Sequence, residues 1–255
     1  MEEVAAKPER IAQIQSVERA IWILKCFEGK EELSLSDISR KLLLHKSTAF
    51  GLVATLTAYR LLEQDKSSGK YRLGIELFRL GSRVSPDLRE IVAPFLAELV
   101  NICGETVNLV IPDGNCVVYV EKKESPHSMR IATSLGHREP LYRTSGGKAI
   151  LARMPLNEAE GILSRTMFER ATGNTIMSAE EVLRELEEIR ARGFAVDNQE
   201  LEYGLVCIGV AIVDSMGKPA GAISVSGPSS RMSPESRIAI SRHLIKTGEE
   251  ISRRL

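Results

Sequence analysis

Four cysteines, four histidines and one Gly-Gly-Lys run are where chemistry would first be sought in this chain. Cys26, Cys103, Cys116 and Cys207 stand apart with no CxxC pair, a usage that suits reduced thiols better than a disulfide framework. His45, His127, His137 and His243 show neither HExxH nor any other ligand spacing, so no metal is expected. Ser145-Gly146-Gly147-Lys148 invites a phosphate-loop reading. That motif needs a glycine where Tyr142 stands, and a Ser or Thr after Lys148. With no GxGxxG and no GxSxG either, neither a cofactor nor a catalytic group is expected. The same small residues have a second use. At a helix start, Ser145, Gly146 and Gly147 would leave unpaired amides at the positive end of the helix dipole, a site for an anion or a carbonyl. Asp197 follows a predicted strand, and Cys207 lies ten residues further, on the next one. If those strands converge on the helix start, they enclose amide donors, one acidic acceptor and an apolar wall. Such a pocket suits a small carboxylate bearing a hydroxyl. Helix caps and core residues would produce the same pattern, so both readings stay open on residues alone.

The elements that would position these residues follow from the hydrophobic pattern. A 255-residue chain with 43% apolar and 27% charged residues is globular, with one large or two modest domains, and is neither disordered nor a coiled-coil rod. No run approaches the ~18 apolar residues that cross a bilayer. MEEVAAKPERIAQIQ lacks the apolar stretch of a signal peptide. A cytoplasmic protein without membrane contact is therefore expected. In the larger half, strands are predicted at 106–111, 116–122, 129–133, 194–196, 206–213 and 220–225, with a turn at Asp113-Gly114-Asn115. A helix opens at Ser145. Asn157–Glu160 and Ser178–Glu181 each have capping-box spacing, and the second of these helices should end at Gly193. Ser233-Pro234-Glu235 starts a long terminal helix. Helices and strands segregate around a mainly antiparallel sheet, so this half is α+β.

The first 85 residues read differently. Ser16 is placed to cap a helix with Val17, Ala20, Ile21, Leu24 and Phe27 on one face and Trp22, Ile23 and Cys26 on another, stopped by Gly29. One face serves the local core, and the other calls for a second subunit. Ser36 can cap a short helix to Leu42, with Leu43-Leu44-His45 as a connection. A second helix runs from Lys46 or Ser47 to Tyr59 and buries Ala49, Leu52, Val53 and Leu56. Strands at 61–64 and 70–73 flank the turn Lys66-Ser67-Ser68-Gly69. A helix-turn-helix followed by a β-hairpin is a winged helix. Residues 40–72 hold seven basic and two acidic side chains inside a chain of zero net charge, the footprint of a nucleic-acid contact. In this arrangement the start of the second helix enters the major groove. Lys46, Ser47, Thr48, Phe50 and Gly51 would meet DNA there, with Ser36 beside them and Lys66, Lys70 and Arg72 on the flanking backbone. Residues 74–84 form a connecting helix, broken at Ser85-Pro86-Asp87. The expected division is a DNA-binding domain over 14–74, a helical linker over 75–87, and a second domain over 88–255.

SVERAIWILKCF, LSLSDISRKL, HKSTAFGLVATL and the hairpin closing in YRLG resemble the winged-helix domain of IclR-type bacterial transcriptional regulators. PLYRTSGGKAILARMP, GFAVDNQELEYGLVCIGVAI and GKPAGAISVSGP resemble the effector-binding domain of the same family, so the likeness covers nearly the whole chain. It implies a GAF-like α+β effector domain with a pocket at Ser145, Gly146, Asp197 and Cys207, walled by Ile131 and Leu205. It also implies homodimers or homotetramers on a roughly palindromic double-stranded DNA operator, regulated by a small-molecule effector; the pocket chemistry above makes a small organic or sugar acid the expected class. Departures are Leu43 where a turn glycine is frequent, His45 where proline is common, and Gly51 where arginine is frequent. Ser145 is a hydroxyl where glycine also occurs, and Asn198-Gln199 replaces a more acidic pair. The competing readings are an enzyme acting on a small metabolite through the larger domain, and a winged helix used for protein contacts.

Overall fold

The computed structural model describes residues 14–28, 30–83, 86–131 and 133–255. Two compact units divide between residues 85 and 86. Gly29 and Ser85, read above as a helix stop and part of a break, lie outside the described residues.

The first unit contains α1 (Gln15–Lys25), α2 (Leu35–Lys41), α3 (Lys46–Ala58), β1 (Leu62–Gln64), β2 (Tyr71–Leu73) and α4 (Ile75–Gly81). Its core is Ile23, Phe27, Ile38, Val53, Leu56, Leu62 and Tyr71. The strands pair antiparallel, Leu62 opposite Leu73. Gly74 closes the wing because a Cβ there would stand 2.1 Å from the Arg60 carbonyl oxygen. Three expectations are corrected. Ile14, not Ser16, precedes the first helical residue, without a side-chain cap. The buried face of α1 combines Ile23, Cys26 and Phe27 with half-buried Ala20 and Leu24, leaving Val17, Ile21 and Trp22 exposed. Ser34, not Ser36, caps α2. Its hydroxyl accepts from Asp37 N–H at 3.2 Å, while the Asp37 carboxylate accepts from Ser34 N–H and O–H. That reciprocal pair satisfies more donors than a cap at Ser36 could, so the helix starts two residues earlier than expected. Leu43 takes the left-handed φ of 52° that the turn demands and is 92% exposed. Without glycine's freedom this costs about 1–2 kcal/mol.

The second unit runs α5 (Pro86–Cys103), β3 (Thr106–Asp113), β4 (Cys116–Lys123), β5 (Arg138–Pro140), a 3₁₀ turn (Leu141–Arg143), α6 (Ser145–Arg153), α7 (Leu156–Leu163), α8 (Ala179–Arg192), β6 (Ala195–Asn198), β7 (Leu205–Val213), β8 (Pro219–Pro228) and α9 (Pro234–Ser252). Its sheet is antiparallel in the order β5-β4-β3-β8-β7-β6. Ser178 caps α8 as expected, and Gly193 ends it at φ 83°. Asn157 caps nothing, because α7 starts at Leu156 behind Pro155. The strand expected at 129–133 is not formed among the described residues. The partner of β4 is β5 instead. Side chains take the carbonyls of that loop: Thr106 Oγ1 donates to Ile131 O at 3.1 Å and Lys122 Nζ to Thr133 O at 2.7 Å. Those carbonyls need no ladder.

Alternation gives the sheet two unlike faces. Val107, Leu109, Val206, Ile208, Val210, Ile223 and Val225 form one, packed with α5 and α9. The other carries a small or polar row, Thr106, Asn108, Asp197, Cys207, Gly209, Ala222, Ser224 and Ser226, beside Val110, Val117 and Tyr119, which join a second apolar core with α6, α7 and α8. On it α6 seats very closely. A Cβ on Gly209 would lie 2.6 Å from the Ser145 carbonyl, and one on Gly146 would lie 2.8 Å from Val110 Cγ2. Gly209→Ala should therefore push α6 off the sheet and destabilise the unit by about 1–3 kcal/mol in denaturant unfolding; unchanged stability would contradict the close seating.

Candidate ligand cavity and nucleic-acid interface

Between the start of α6 and the polar sheet face lies a cavity of about 490 Å³. Ile131, Ser145, Gly146, Asp197, Leu205 and Cys207 all line it, so the structure gathers in one place the six residues singled out from sequence. Strand register does much of the gathering. Asp197 on β6 pairs with Cys207 on β7, which pairs with Ser226 on β8, which pairs with Thr106 on β3. Equivalent positions on adjacent strands share a face, so this row forms a polar floor. At the helix start, Thr144 Oγ1 accepts the Gly147 N–H at 3.0 Å. Gly147 is therefore not a free donor, contrary to the three-amide expectation. The Ser145 and Gly146 N–H groups make no hydrogen bond among the described residues.

Asp197 is 1% exposed. Its Oδ1 accepts from Glu200 N–H at 2.7 Å, while Oδ2 is buried with no partner among the described residues. Burial raises its pKa to about 6, against the pull of the Glu200 amide and the Lys148 charge. Lys148, fully buried, donates to both Glu185 oxygens at 2.9 Å and to Glu200 Oε1 at 2.6 Å. Glu200 is itself pushed up to about 7 by burial. Burial and the neighbouring Asp197 carboxylate hold the Cys207 thiol well above its usual range, which makes it a neutral wall and not a nucleophile. Among the described residues no three His, Cys, Asp or Glu side chains are placed to hold a metal ion.

Sequence reasoning missed several lining residues: Tyr119, Ser224 and Ser226 on the strands, and the rim group His137, Glu139 and Arg143. Strand alternation could have found the two serines, since they share a face with Cys207. Arg143 carried a weaker signal, a charge two residues before the small-residue helix start. Glu139 and His137 lie across a loop whose path the pattern did not reveal.

The raised Asp197 value sets the sign of a pH effect. The folded protein keeps this proton to higher pH than the unfolded chain, so stability is lost as pH rises from about 4 to about 6, by about 1–3 kcal/mol. Asp197→Asn keeps the acceptor for Glu200 N–H and carries no charge. It should raise the melting temperature at pH 8, with the gain vanishing toward pH 4. A lower melting temperature at pH 8 would show that the ionised carboxylate stabilises the fold.

In the first unit, Lys46, Ser47, Thr48, Phe50 and Gly51 are all exposed on the opening turns of α3, while Ala49 and Val53 point inward. Lys66 and Lys70 are exposed on the wing and make no ion pair among the described residues. Arg72 is held by Glu63 at 3.1 Å, and Lys41 is turned to the Cys26 carbonyl at 3.0 Å. Of the seven basic residues in 40–72, Lys46 at the start of α3, Lys66 and Lys70 on the wing, and Arg60 beyond the end of α3 make no ion pair among the described residues. Ser36 lies half-buried inside α2. A Cβ on Gly51 would meet nothing within 4 Å, so the fold does not require glycine there.

Residues 16–66 match the IclR helix-turn-helix domain, and residues 82–253 match the bacterial transcriptional regulator IclR C-terminal domain. Over 97% of its length the chain is 36% identical to the HTH-type transcriptional repressor AllR of Salmonella paratyphi A, covering 92% of that protein. It is 34% identical to the Escherichia coli AllR repressor over the same shares of both chains. The crystal structure of Thermotoga maritima IclR has a TM-score of 0.80 and 33% identity, covering 95% of this chain and 99% of that one. Matched in this way over both of its units, the chain belongs to the IclR family: it is a DNA-binding transcriptional regulator with a C-terminal effector-binding domain, and not an enzyme.

Proposed function

We propose that the second unit senses a small organic or sugar acid through Ile131, Ser145, Gly146, Asp197, Leu205 and Cys207, and that occupancy changes operator affinity. The observation that carries this is the buried Asp197 Oδ2, without a partner among the described residues, at a cavity lined also by Ser145 and Gly146 at the start of α6. A buried acceptor without a donor costs about 1–3 kcal/mol, which a ligand hydroxyl would recover. Repression is the favoured sense, because the similar AllR proteins are named as repressors. The DNA-facing set is Ser36, Lys46, Ser47, Thr48, Phe50, Gly51, Lys66, Lys70 and Arg72. Residues 75–87 serve as the linker between domains 14–74 and 88–255. Val17 and Ile21, exposed one turn apart on α1 beside exposed Trp22 and the preceding Ile14, support a homodimer through this helix. A two-fold dimer requires a roughly palindromic operator with half-sites ~34–36 Å apart.

Binding regulates only if the ligand prefers one arrangement of the protein over the other. Asp197→Ala should abolish the response of operator binding to an acid effector while leaving binding without effector intact. A normal response would move the site elsewhere. Lys46→Ala should weaken operator binding at all sequences and reduce the salt slope by about one. An unchanged slope would remove Lys46 from the phosphate contacts.

A further inference from the structure

The rim of the cavity contains a largely buried ion pair. Arg143 leads into the first turn of α6, and Glu139 on β5 faces it. Arg143 Nε and Nη2 both donate to Glu139 Oε2, at 3.1 and 2.7 Å, and His137 Nε2 stands 2.8 Å from the other Glu139 oxygen. Both side chains of the pair are largely buried, 16% and 12% exposed, and both line the cavity. Arg143 is the only Lys or Arg among the described lining residues, against Glu139, Asp197 and Glu202. A carboxylate entering this space meets an excess of acid, with a single cation already engaged. Yet Arg143 stands one residue from the helix cap, where its charge and the positive end of α6 favour the same anion. The protein itself seats a carboxylate at that spot.

We propose that Glu139 is an internal competitor for the effector's carboxylate, and that Arg143 is the specificity-determining residue which selects an anion over its uncharged analogue. The inference rests on the effector reading above and adds which end of the cavity takes the charge. On binding, the ligand carboxylate takes up the Arg143 guanidinium and Glu139 is left to His137. Discrimination against a neutral ligand then depends on one displaceable ion pair.

The test uses the full-length protein with acetate, glycolate and oxalate, and with acetamide and glycolamide as uncharged matches, titrated by calorimetry at pH 7.5. Glu139→Gln removes the competing charge and should tighten carboxylates about three- to tenfold while leaving the amides unchanged. Glu139→Asp, with a shorter reach, should show a smaller gain in the same direction and serves where the Gln variant does not fold. Arg143→Gln added to Glu139→Gln should cancel the gain and level acids with amides. If wild type binds these acids and Glu139→Gln binds them equally or more weakly, the pair is a rim contact only and the inference is overturned, with the effector reading intact. Silence of wild type and both Glu139 variants toward the whole panel would overturn both.

Discussion

The first turn of α6 lies on β7 with almost nothing between them, and the ligand cavity depends on that contact. Gly209 and Gly146 carry no side chains, and Ala222 adds only a methyl 3.6 Å from where a Cβ on Gly146 would stand. Backbone can therefore approach backbone, which fixes the positive end of the helix over the polar row of the sheet. The helix start, Asp197 and Arg143 thereby all border one cavity. With a larger residue at either glycine, the amides and the carboxylate would separate and the cavity would lose its opposed poles.

The sheet divides its tasks by face. Toward α5 and α9 it buries Val, Ile and Leu, each worth about 1.5–3 kcal/mol. Toward the start of α6 it gives up part of that gain for serines, a cysteine, an asparagine and an aspartate, while Val110, Val117 and Tyr119 still pack in a second apolar core. Two of their polar atoms, Asn108 Oδ1 and Asp197 Oδ2, are buried without a partner among the described residues. Each such atom costs about 1–3 kcal/mol, comparable with what one aliphatic side chain contributes. One face is thus wholly apolar, while the α6 face combines a second apolar core with the polar row that lines the candidate cavity. A ligand that supplies the missing partners would recover part of the cost.

Most of the first unit was legible in sequence because its signals are local. Helical spacing, a three-residue connection and a turn of polar residues between short strands each depend on neighbours in the chain. Competition between neighbours of similar chemistry was harder to read. Ser34 and Ser36 both can cap, and only the reciprocal bond from Asp37 decides for Ser34. The six cavity residues were reached partly from residue chemistry and partly from family likeness. What brings them together is the register of β6, β7 and β8, which sequence spacing does not specify. The strand expected at 129–133 was misread because the Ile131 and Thr133 carbonyls are satisfied by the Thr106 and Lys122 side chains, a long-range arrangement that leaves no periodic trace. Arg143 and Glu139 went unnoticed for the same reason, since a strand and a turn had to meet before they faced one cavity.

Lys148 shows how much a residue's surroundings decide its role. Next to Gly146-Gly147 it has the look of a phosphate-binding lysine, but its ammonium is enclosed by Glu185 and Glu200, with Arg192 3.5 Å from Glu185. Taking these charges out of water costs several kcal/mol each, so the cluster is a poor way to gain stability compared with apolar packing. What it provides is position. Glu200 is fixed through its carboxylate by Lys148, through its carbonyl by Thr175 Oγ1 at 2.7 Å, and through its amide by Asp197 Oδ1. That last bond turns Asp197 so that Oδ1 is occupied and Oδ2 is left over. The buried lysine thus acts on the ligand site without touching it. It compensates the Glu185 and Glu200 carboxylates and, through Glu200, holds the unpartnered oxygen of Asp197 at the cavity wall.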